Sequence, residues 1–258
     1  MKVEEILDIL NEKYPFNIAE PWDNVGLLVG EKDANVEKIL VALEVTYKVI
    51  DYAVNNNFDL IITHHPMIFH PLKRIEKEDV LGYKIIEAIQ NNVNIIAMHT
   101  NLDSAKEGLN EYVLDKMNLD FRYLSYEETL NKPYRMIELN KRTSIFDIVE
   151  SVKKGLNIKR LKVTYNSYYN DEYIKKIAIV TGSGSSFIPL FINKVDLIIT
   201  ADLTHHIALD TMEKGISLID FGHHESESPS IDLIKDYLDN KVEIYVEKMQ
   251  DDSVFHVW

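Results

Sequence analysis

Two polar segments in the first half of this chain follow apolar, strand-like runs and carry side chains that can bind metals. His64 and His65 come directly after DLIIT, and the segment HTNLD supplies Asp103, with His99 as a further candidate. Ligands of open α/β sheets bind at the carboxyl ends of the strands, so these side chains are expected to face a shared crevice. The alternative interpretations are turn histidines in the first segment and a helix cap at Asp103 in the second.

The third segment, GHHESE, is the most informative of the set. His223 and Glu227 are four residues apart, and one helical turn would bring both side chains to the same face, where they can hold one ion. Glu227 has two carboxylate oxygens and can therefore bridge two ions. His224 and Glu225 would point elsewhere, toward solvent or toward the residues that support the ligands. A solvated polar turn after the strand is the alternative.

The composition narrows the chemistry that these residues can perform. The 258 residues include no cysteine, which excludes disulfides, thiolate catalysis and zinc sites built on cysteine. The remaining imidazole and carboxylate groups suffice for two divalent ions of the Zn, Mn, Fe, Ni or Co type. These ligand types do not determine which metal is bound. Because two such ions commonly activate a water molecule, hydrolysis is the expected class of reaction.

The charge of the chain bears on its partners. With 42 acidic and 28 basic side chains the formal net charge is −14, which does not favour binding to a nucleic-acid backbone. A basic cluster within 141–162 has two interpretations. It is either a solvated outer face of helices and strands, or a local contact for nucleic acid that would weaken this argument. Its members are Lys141, Arg142, Lys153, Lys154, Lys159, Arg160 and Lys162.

The ends of the sequence and its hydropathy bear on location. No apolar run reaches the roughly 18 residues that a membrane span needs. The opening MKVEEILDILNEKY is acidic and amphipathic, unlike a signal or transit peptide. We therefore expect a cytoplasmic protein that is not associated with a membrane.

The elements that must position the candidate ligands alternate along the chain. KILVALEV (38–45), a helical 46–57, DLIITHH (59–65), a helical 80–92 and NIIAMHT (94–100) make up the first half. The same alternation of strands and helices resumes at KKIAIVTG (175–182), after a connecting α+β segment over 121–172. This alternation predicts an α/β fold with mixed, mostly parallel sheets.

An internal repeat predicts two lobes. Asp59 and Asp196 begin identical DLIIT pentapeptides that are 137 residues apart (196 − 59), each in a strand–helix–strand context. Coincidence is the alternative, but the shared context favours duplication. We predict a first α/β lobe over 1–120 with the HHP and HTNLD segments, and a second over 121–258 with GHHESE. The metal site would then lie in the cleft between these lobes.

Three weaker features carry both a functional and a structural interpretation. Asp23 in PWDNVG either orients a ligand histidine or belongs to a plain turn. His205 and His206 fall within a predicted helix and are interpreted as structural or solvent-facing. The GSGSS turn at 182–186 lacks the lysine of a P-loop. It either offers backbone N–H groups to a phosphate or simply connects a strand to a helix.

The motifs together resemble one known family. WDNVGLLVG, LIITHHP, AMHTNLD, IAIVTGSGSS and LIDFGHHESE occur in the order found in the Nif-three-like dinuclear metal-centre proteins, commonly described as GTP cyclohydrolase I type 2 homologues. The resemblance runs from Trp22 to Glu227. His224 replaces the aromatic residue of the usual GHYESE and leaves the expected ligands untouched.

The resemblance implies a ligand set, an assembly and an activity. The expected ligands of two divalent ions are His64, His65, Asp103, His223 and Glu227. The expected assembly is a toroidal homohexamer, and the expected reaction is the opening of the guanine ring of GTP. A metal-dependent phosphoesterase, or a non-enzymatic metal-binding ring that engages nucleic acid or a protein partner, are the alternatives.

Overall fold

A computed structural model describes residues 1–164, 173–250 and 253–255 of the chain. The chain forms two compact units, of which the first is Met1–Ala105 with Ser230–Trp258 and the second is Lys106–Pro229. Each unit is built around one mixed β-sheet.

The sheet of the first unit has five strands in the order β1-β4-β3-β2-β11. Their bounds are Gly26–Val29 for β1, Lys38–Ala42 for β2, Leu60–Thr63 for β3, Asn94–Ala97 for β4 and Tyr245–Lys248 for β11. β2, β3, β4 and β11 run parallel, and β1 is antiparallel to β4. All residues of β3 and β4 are buried, which explains why these strands are continuous apolar runs rather than alternating ones.

The helices of the first unit follow from apolar spacing and from clear capping residues. They are α1 (Val3–Lys13), α2 (Tyr47–Asn55), α3 (Val80–Gln90), α4 (Thr100–Ser104) and α11 (Pro229–Asp239), which begins at the boundary of the unit. Thr46 caps α2 by accepting from the Val49 N–H, and Asp79 caps α3 in the same way. Ile50 of α2 and Ile85 of α3 pack with Ile61 of β3 in the core.

The sheet of the second unit has six strands in the order β5-β6-β8-β9-β10-β7. Their bounds are Phe121–Tyr123 for β5, Arg135–Ser144 for β6, Lys162–Thr164 for β7, Tyr173–Ser183 for β8, Leu197–Ala201 for β9 and Ser217–Asp220 for β10. β8, β9 and β10 are parallel, and the other pairs are antiparallel. The strand-like piece LKVTYN (161–166) of the connecting segment over 121–172 continues beyond Thr164 into residues that the structure does not describe.

Six helices accompany this second sheet among the described residues. They are α5 (Leu109–Lys116), α6 (Tyr126–Thr129), α7 (Ile145–Leu156), α8 (Ile188–Phe191), α9 (His205–Glu213) and α10 (His223–Glu227). Phe191 of α8 packs with Val180, Ile198 and Leu218 of the three parallel strands. Across the described parts of both units, no helix has the length and apolar character that a membrane span requires.

The duplicated DLIIT segments perform the same structural task in each unit. Oδ2 of Asp59 accepts hydrogen bonds from the N–H groups of Glu37 and Lys38, at 2.8 and 3.0 Å. Oδ2 of Asp196 accepts from the N–H groups of Lys175 and Lys176, at 2.9 and 2.8 Å. Each aspartate therefore anchors the preceding strand next to the point where their parallel pairing begins, a correspondence that supports the predicted duplication.

The predicted mixed α/β class is confirmed, but the division of the chain differs from the predicted one. β11 pairs in parallel with β2 and so completes the first sheet, whereas the predicted boundary assigned all of 121–258 to the second lobe. Residues 106–120, which contain α5, belong to the second unit instead of the first. Strand pairing between distant segments determines this division, and local sequence patterns do not reveal such pairing.

Candidate metal centre

His64 directly follows β3, and its ring is fully buried. Its Nδ1 lies 2.8 Å from the carbonyl oxygen of Met98. A carbonyl oxygen can only accept a hydrogen bond, so Nδ1 carries a proton, and in the neutral form of the ring Nε2 would carry the lone pair. Nε2 lies 3.7 Å from Oδ1 of Asp103. This arrangement presents one nitrogen and one carboxylate oxygen to the same space.

Asp103 lies within α4 and is buried. The sequence left open whether it caps the helix that follows. The next helix, α5, has Gly108 as its N-cap, so Asp103 does not serve that helix as a cap. The proximity of its carboxylate to His64 favours the interpretation as a metal ligand.

His65 and His99 complete a cluster of three imidazoles in the first unit. Nδ1 of His65 lies 3.1 Å from Oε1 of Glu44, and Nδ1 of His99 lies 2.8 Å from Oδ1 of Asp23. One ring nitrogen from each of His64, His65 and His99 lies within 4.8 Å of the other two. Nitrogens at such separations can be drawn onto a common ion with small side-chain movements.

Asp23 holds the His99 end of this cluster in place. Its Oδ2 accepts a hydrogen bond from the Thr100 N–H at 3.0 Å, in addition to the bond between Oδ1 and His99. Burial raises the pKa of Asp23, but the hydrogen bonds with His99 and Thr100 outweigh burial and bring the pKa to about 2. The carboxylate is therefore charged at neutral pH, and it orients a histidine, as the sequence suggested.

In the second unit, α10 brings His223 and Glu227 together. Nε2 of His223 lies 2.9 Å from Oε2 of Glu227, which confirms that one helical turn places both on the same face. Nδ1 of His223 lies 2.7 Å from Oδ2 of Asp202. Asp202 directly follows β9 and has a left-handed backbone with φ of 56°, a conformation that aspartate tolerates better than most residues.

The two carboxylates around His223 change its protonation. The hydrogen bond to Glu227 raises the pKa of His223, burial opposes this effect and Asp202 adds to it, so that the pKa reaches about 9. In the metal-free protein the ring is therefore a cation at neutral pH. A divalent ion would replace the proton between the ring and Glu227, so binding at this pair releases a proton and strengthens as pH rises.

Gly182 gives Glu227 its position. The glycine has a φ of +62°, and a Cβ built on it would lie 2.0 Å from Oε1 of Glu227. Its N–H donates to Oγ of Ser226 at 3.0 Å, and that hydroxyl donates to the carbonyl of His223 at 2.8 Å. Gly182 therefore joins α10 to the end of β8, and the carboxylate of Glu227 occupies the space that a side chain would fill.

The second glycine of the GSGSS turn also makes hydrogen bonds within the fold. The N–H of Gly184 donates to Oγ of Thr200 at 2.8 Å, and that hydroxyl donates to the carbonyl of Gly182 at 3.1 Å. The two glycine N–H groups therefore bind hydroxyl groups of the protein. This favours the interpretation as a tight connection over that of a phosphate cradle.

The candidate histidines share one arrangement that suits metal binding. In each of them Nδ1 is hydrogen-bonded to a carbonyl or carboxylate oxygen, so that Nε2 is the ring nitrogen that would bind an ion, as is usual for histidines that ligate metals. The pairs are His64 with Met98, His65 with Glu44, His99 with Asp23 and His223 with Asp202. With the carboxylates of Asp103 and Glu227, this donor set fits divalent ions such as Zn, Mn, Fe, Ni or Co.

The sequence reasoning missed three supporting residues. Glu44 and Asp202 each follow a parallel strand closely, β2 and β9, so the same rule that selected His64 would have selected them. The sequence places Gly182 only in the GSGSS turn. Its role depends on the approach of Glu227 from α10, which the sequence does not display.

The remaining candidates lie on surfaces. His205 and His206 are exposed at the start of α9, as expected. The basic cluster of 141–162 spreads over β6, α7 and β7. Within it Lys153 pairs with Glu150 at 3.0 Å, and Lys162 pairs with Asp220 at 3.1 Å. Those two contacts agree with a solvated face, and a role in nucleic-acid binding stays a prediction.

Comparison with known proteins agrees with the sequence motifs. The family model Duf34/NIF3 (NGG1p interacting factor 3) matches residues 1–253. A GTP cyclohydrolase 1 type 2 homolog from Clostridium perfringens is 38% identical over 257 residues, covering 96% of this chain and 97% of that protein. The GTP cyclohydrolase 1 type 2 of Helicobacter pylori is 35% identical, covering 87% and 86%.

Solved structures show the same fold. The crystal structure of Staphylococcus aureus protein SA1388 has a TM-score of 0.84 and 27% sequence identity, and the match covers 100% of this chain and 99% of that one. With a family model that spans nearly the whole sequence and relatives above 30% identity, the chain belongs to the DUF34/NIF3 family.

Proposed function

We propose that this protein is a hydrolase that uses two divalent metal ions. The ligands are His64, His65 and Asp103 of the first unit and His223 and Glu227 of the second. The observation that carries the proposal is the common arrangement of the candidate histidines, in each of which an oxygen acceptor holds Nδ1, so that Nε2 is the nitrogen that would bind an ion. The presence of two ions, and their sharing of all five ligands, are parts of the proposal.

The substrate that we propose is GTP, on the strength of the names that the relatives carry. Water adds to C8 of the guanine, and cleavage of the C8–N9 bond leaves a formamide. A second water hydrolyses the formamide, releasing formate and an aminopyrimidine that keeps the ribose triphosphate. The two steps together consume two water molecules and require no oxidant or reductant.

The chain and the ions contribute different parts of this chemistry. Bound divalent ions supply Lewis acidity and an activated water. Met98, Glu44 and Asp202 fix the ring orientation of His64, His65 and His223, so the ligands are already arranged before an ion arrives. Preorganisation of this kind lowers the cost of binding the ion.

The test measures metal content and product formation on the same samples. Purified protein is stripped with a chelator, reloaded separately with Zn, Mn, Fe, Ni or Co, and incubated with GTP. We expect up to two ions per chain and the release of one formate per aminopyrimidine. Less than one ion per chain with every metal would contradict the metal centre, and the absence of formate with every loaded form would contradict the reaction.

Two variants of α9 and α10 separate the site from general effects of mutation. Glu227→Gln removes a charged ligand and is expected to abolish turnover and lower metal content. Glu213→Gln makes the same chemical change at an exposed position at the end of α9, and it should leave both unchanged. Equal behaviour of the two variants would refute the assignment of Glu227.

The same samples test the alternative reaction class. A metal-dependent phosphoesterase would release phosphate from simple phosphoesters and give no formate from GTP. Assembly into a toroidal homohexamer and location in the cytoplasm also stay predictions, and sedimentation velocity of the purified protein measures the first of them.

A further inference from the structure

Two exposed aromatic rings lie beside the imidazole cluster of the first unit. Trp22 is 57% exposed and Phe69 is 41% exposed. Their ring centroids are 5.8 Å apart. The centroid of His99 lies 6.1 Å from that of Trp22 and 6.3 Å from that of Phe69. We call Trp22 and Phe69 the aromatic pair.

The backbone that carries the aromatic pair is held from both sides. Asp23, next to Trp22, is hydrogen-bonded to His99 and Thr100. The side chain of Asn24 donates to the carbonyl of Ile68 at 2.6 Å and so ties this segment to the residue that precedes Phe69. The backbone beside both rings is therefore held in place, and Asp23 also orients His99, a candidate ligand.

Single exposed aromatic side chains are common on protein surfaces and need no explanation. The aromatic pair differs because the two rings touch each other and both adjoin His99, whose ring is 5.5 Å from that of His65 and 5.3 Å from that of His64. An indole and a phenyl ring offer broad π-faces, and a planar heterocycle can stack on them whatever its hydrogen-bonding edge.

We propose that the aromatic pair is a stacking platform for the heteroaromatic base of the substrate. The platform rests on the proposed function in that it serves the same site, and it names the part of the substrate that the protein recognises. It recognises the planar ring of the base and contributes little to the recognition of the phosphate chain. Loss of one stacking aromatic ring commonly weakens binding of a base by about 5- to 150-fold.

The test uses the fluorescence of Trp22 in the full chain with Trp258→Phe, which removes the other tryptophan. GMP is titrated as the probe, and ribose 5-phosphate serves as the matched ligand without a base. We expect GMP to quench the fluorescence of Trp22 and ribose 5-phosphate to leave it unchanged. Equal quenching of the Trp22 fluorescence by the two ligands would overturn the proposal.

Substitutions then identify the rings. Because Trp22→Ala can disturb Asp23, Phe69→Leu provides a second variant away from that segment. Both should weaken GMP binding, measured by calorimetry, whereas Trp22→Phe should retain most of it. Phe146→Ala removes a similarly exposed ring, at 52%, from α7 of the second unit and should have no effect. Unchanged GMP affinity in both Trp22→Ala and Phe69→Leu would refute the platform.

The outcomes distinguish this inference from the proposed reaction. Quenching by GMP with no formate from GTP would leave the platform intact and refute the reaction. Formate production with an unchanged KM for GTP in Trp22→Ala would refute the platform alone. A change of oligomeric state in Trp22→Ala with unchanged GMP affinity would also refute it, and would assign this face to a contact between copies of the chain.

Discussion

Substitution of Gly182 by alanine tests the arrangement of the second-unit ligands most directly. The new Cβ would lie 2.0 Å from Oε1 of Glu227, far inside contact distance, and the φ of +62° is unfavourable for any side chain. The left-handed backbone costs about 1–2 kcal/mol. The clash is relieved only when the buried carboxylate of Glu227 moves, which separates it from His223.

The two effects are measured separately. Loss of a group that positions a metal ligand typically lowers metal affinity about 10- to 100-fold, and we expect a loss of this size in Gly182→Ala. A competition titration against a fluorescent chelator measures the affinity. Thermal unfolding in the presence of chelator measures the stability of the metal-free protein, which should fall by about 1–2 kcal/mol from the backbone strain.

Gly215→Ala is the matched control. Gly215 has a φ of +82°, and a Cβ added to it would meet no heavy atom of the described residues within 4 Å, apart from its own chain neighbours. This variant should share the loss of stability but keep the metal affinity of the unmodified protein. If Gly182→Ala binds metal as tightly as Gly215→Ala, the assignment of Gly182 as the support of Glu227 is wrong.

Buried or charged groups give three further predictions. Arg135→Ala leaves the buried carboxylate of Glu111 without its 2.7 Å partner and should cost about 3–5 kcal/mol in chemical denaturation; a loss below about 1 kcal/mol would contradict this. In the chelator-treated protein, NMR titration should place the pKa of His223 near 9. The protonated ring then stabilises the fold fully below about pH 6.5, and this stabilisation is lost as pH rises through 9. An ordinary pKa would refute the pairing of His223 with its two carboxylates. Asp59→Ala removes the acceptor of two backbone N–H groups, and amide hydrogen exchange at the start of β2 should accelerate, while unchanged exchange would count against the anchoring role.

Part of the site could be predicted from sequence because ligands of open α/β sheets bind at the carboxyl ends of the strands. His64 and Asp103 follow apolar strands whose burial makes them easy to recognise, and the four-residue spacing of His223 and Glu227 encodes their contact directly. The same rule points to Glu44 and Asp202 as candidates, but the sequence does not show which histidine each carboxylate meets. Asp202 reaches His223 across 21 residues, through the packing of α10 near the end of β9.

The fold was also predictable where it depends on local sequence patterns, and not where it depends on pairing between distant segments. The identical DLIIT segments predicted a repeated strand–helix–strand unit, and the equivalent roles of Asp59 and Asp196 support it. The sheet to which the last strand belongs was not predictable in this way. Tyr245 pairs with Lys38, which lies 207 positions earlier (245 − 38), and an isolated apolar strand fits either sheet equally well by composition.

The position of β11 determines the order in which the chain can fold during synthesis. The second unit is one continuous segment, so all of its strands are synthesised before β11. The first sheet must wait with the edge of β2 unpaired until Tyr245–Lys248 emerges. An unpaired edge is where strands of other chains add, so nascent and C-terminally truncated chains should be the aggregation-prone species of this protein.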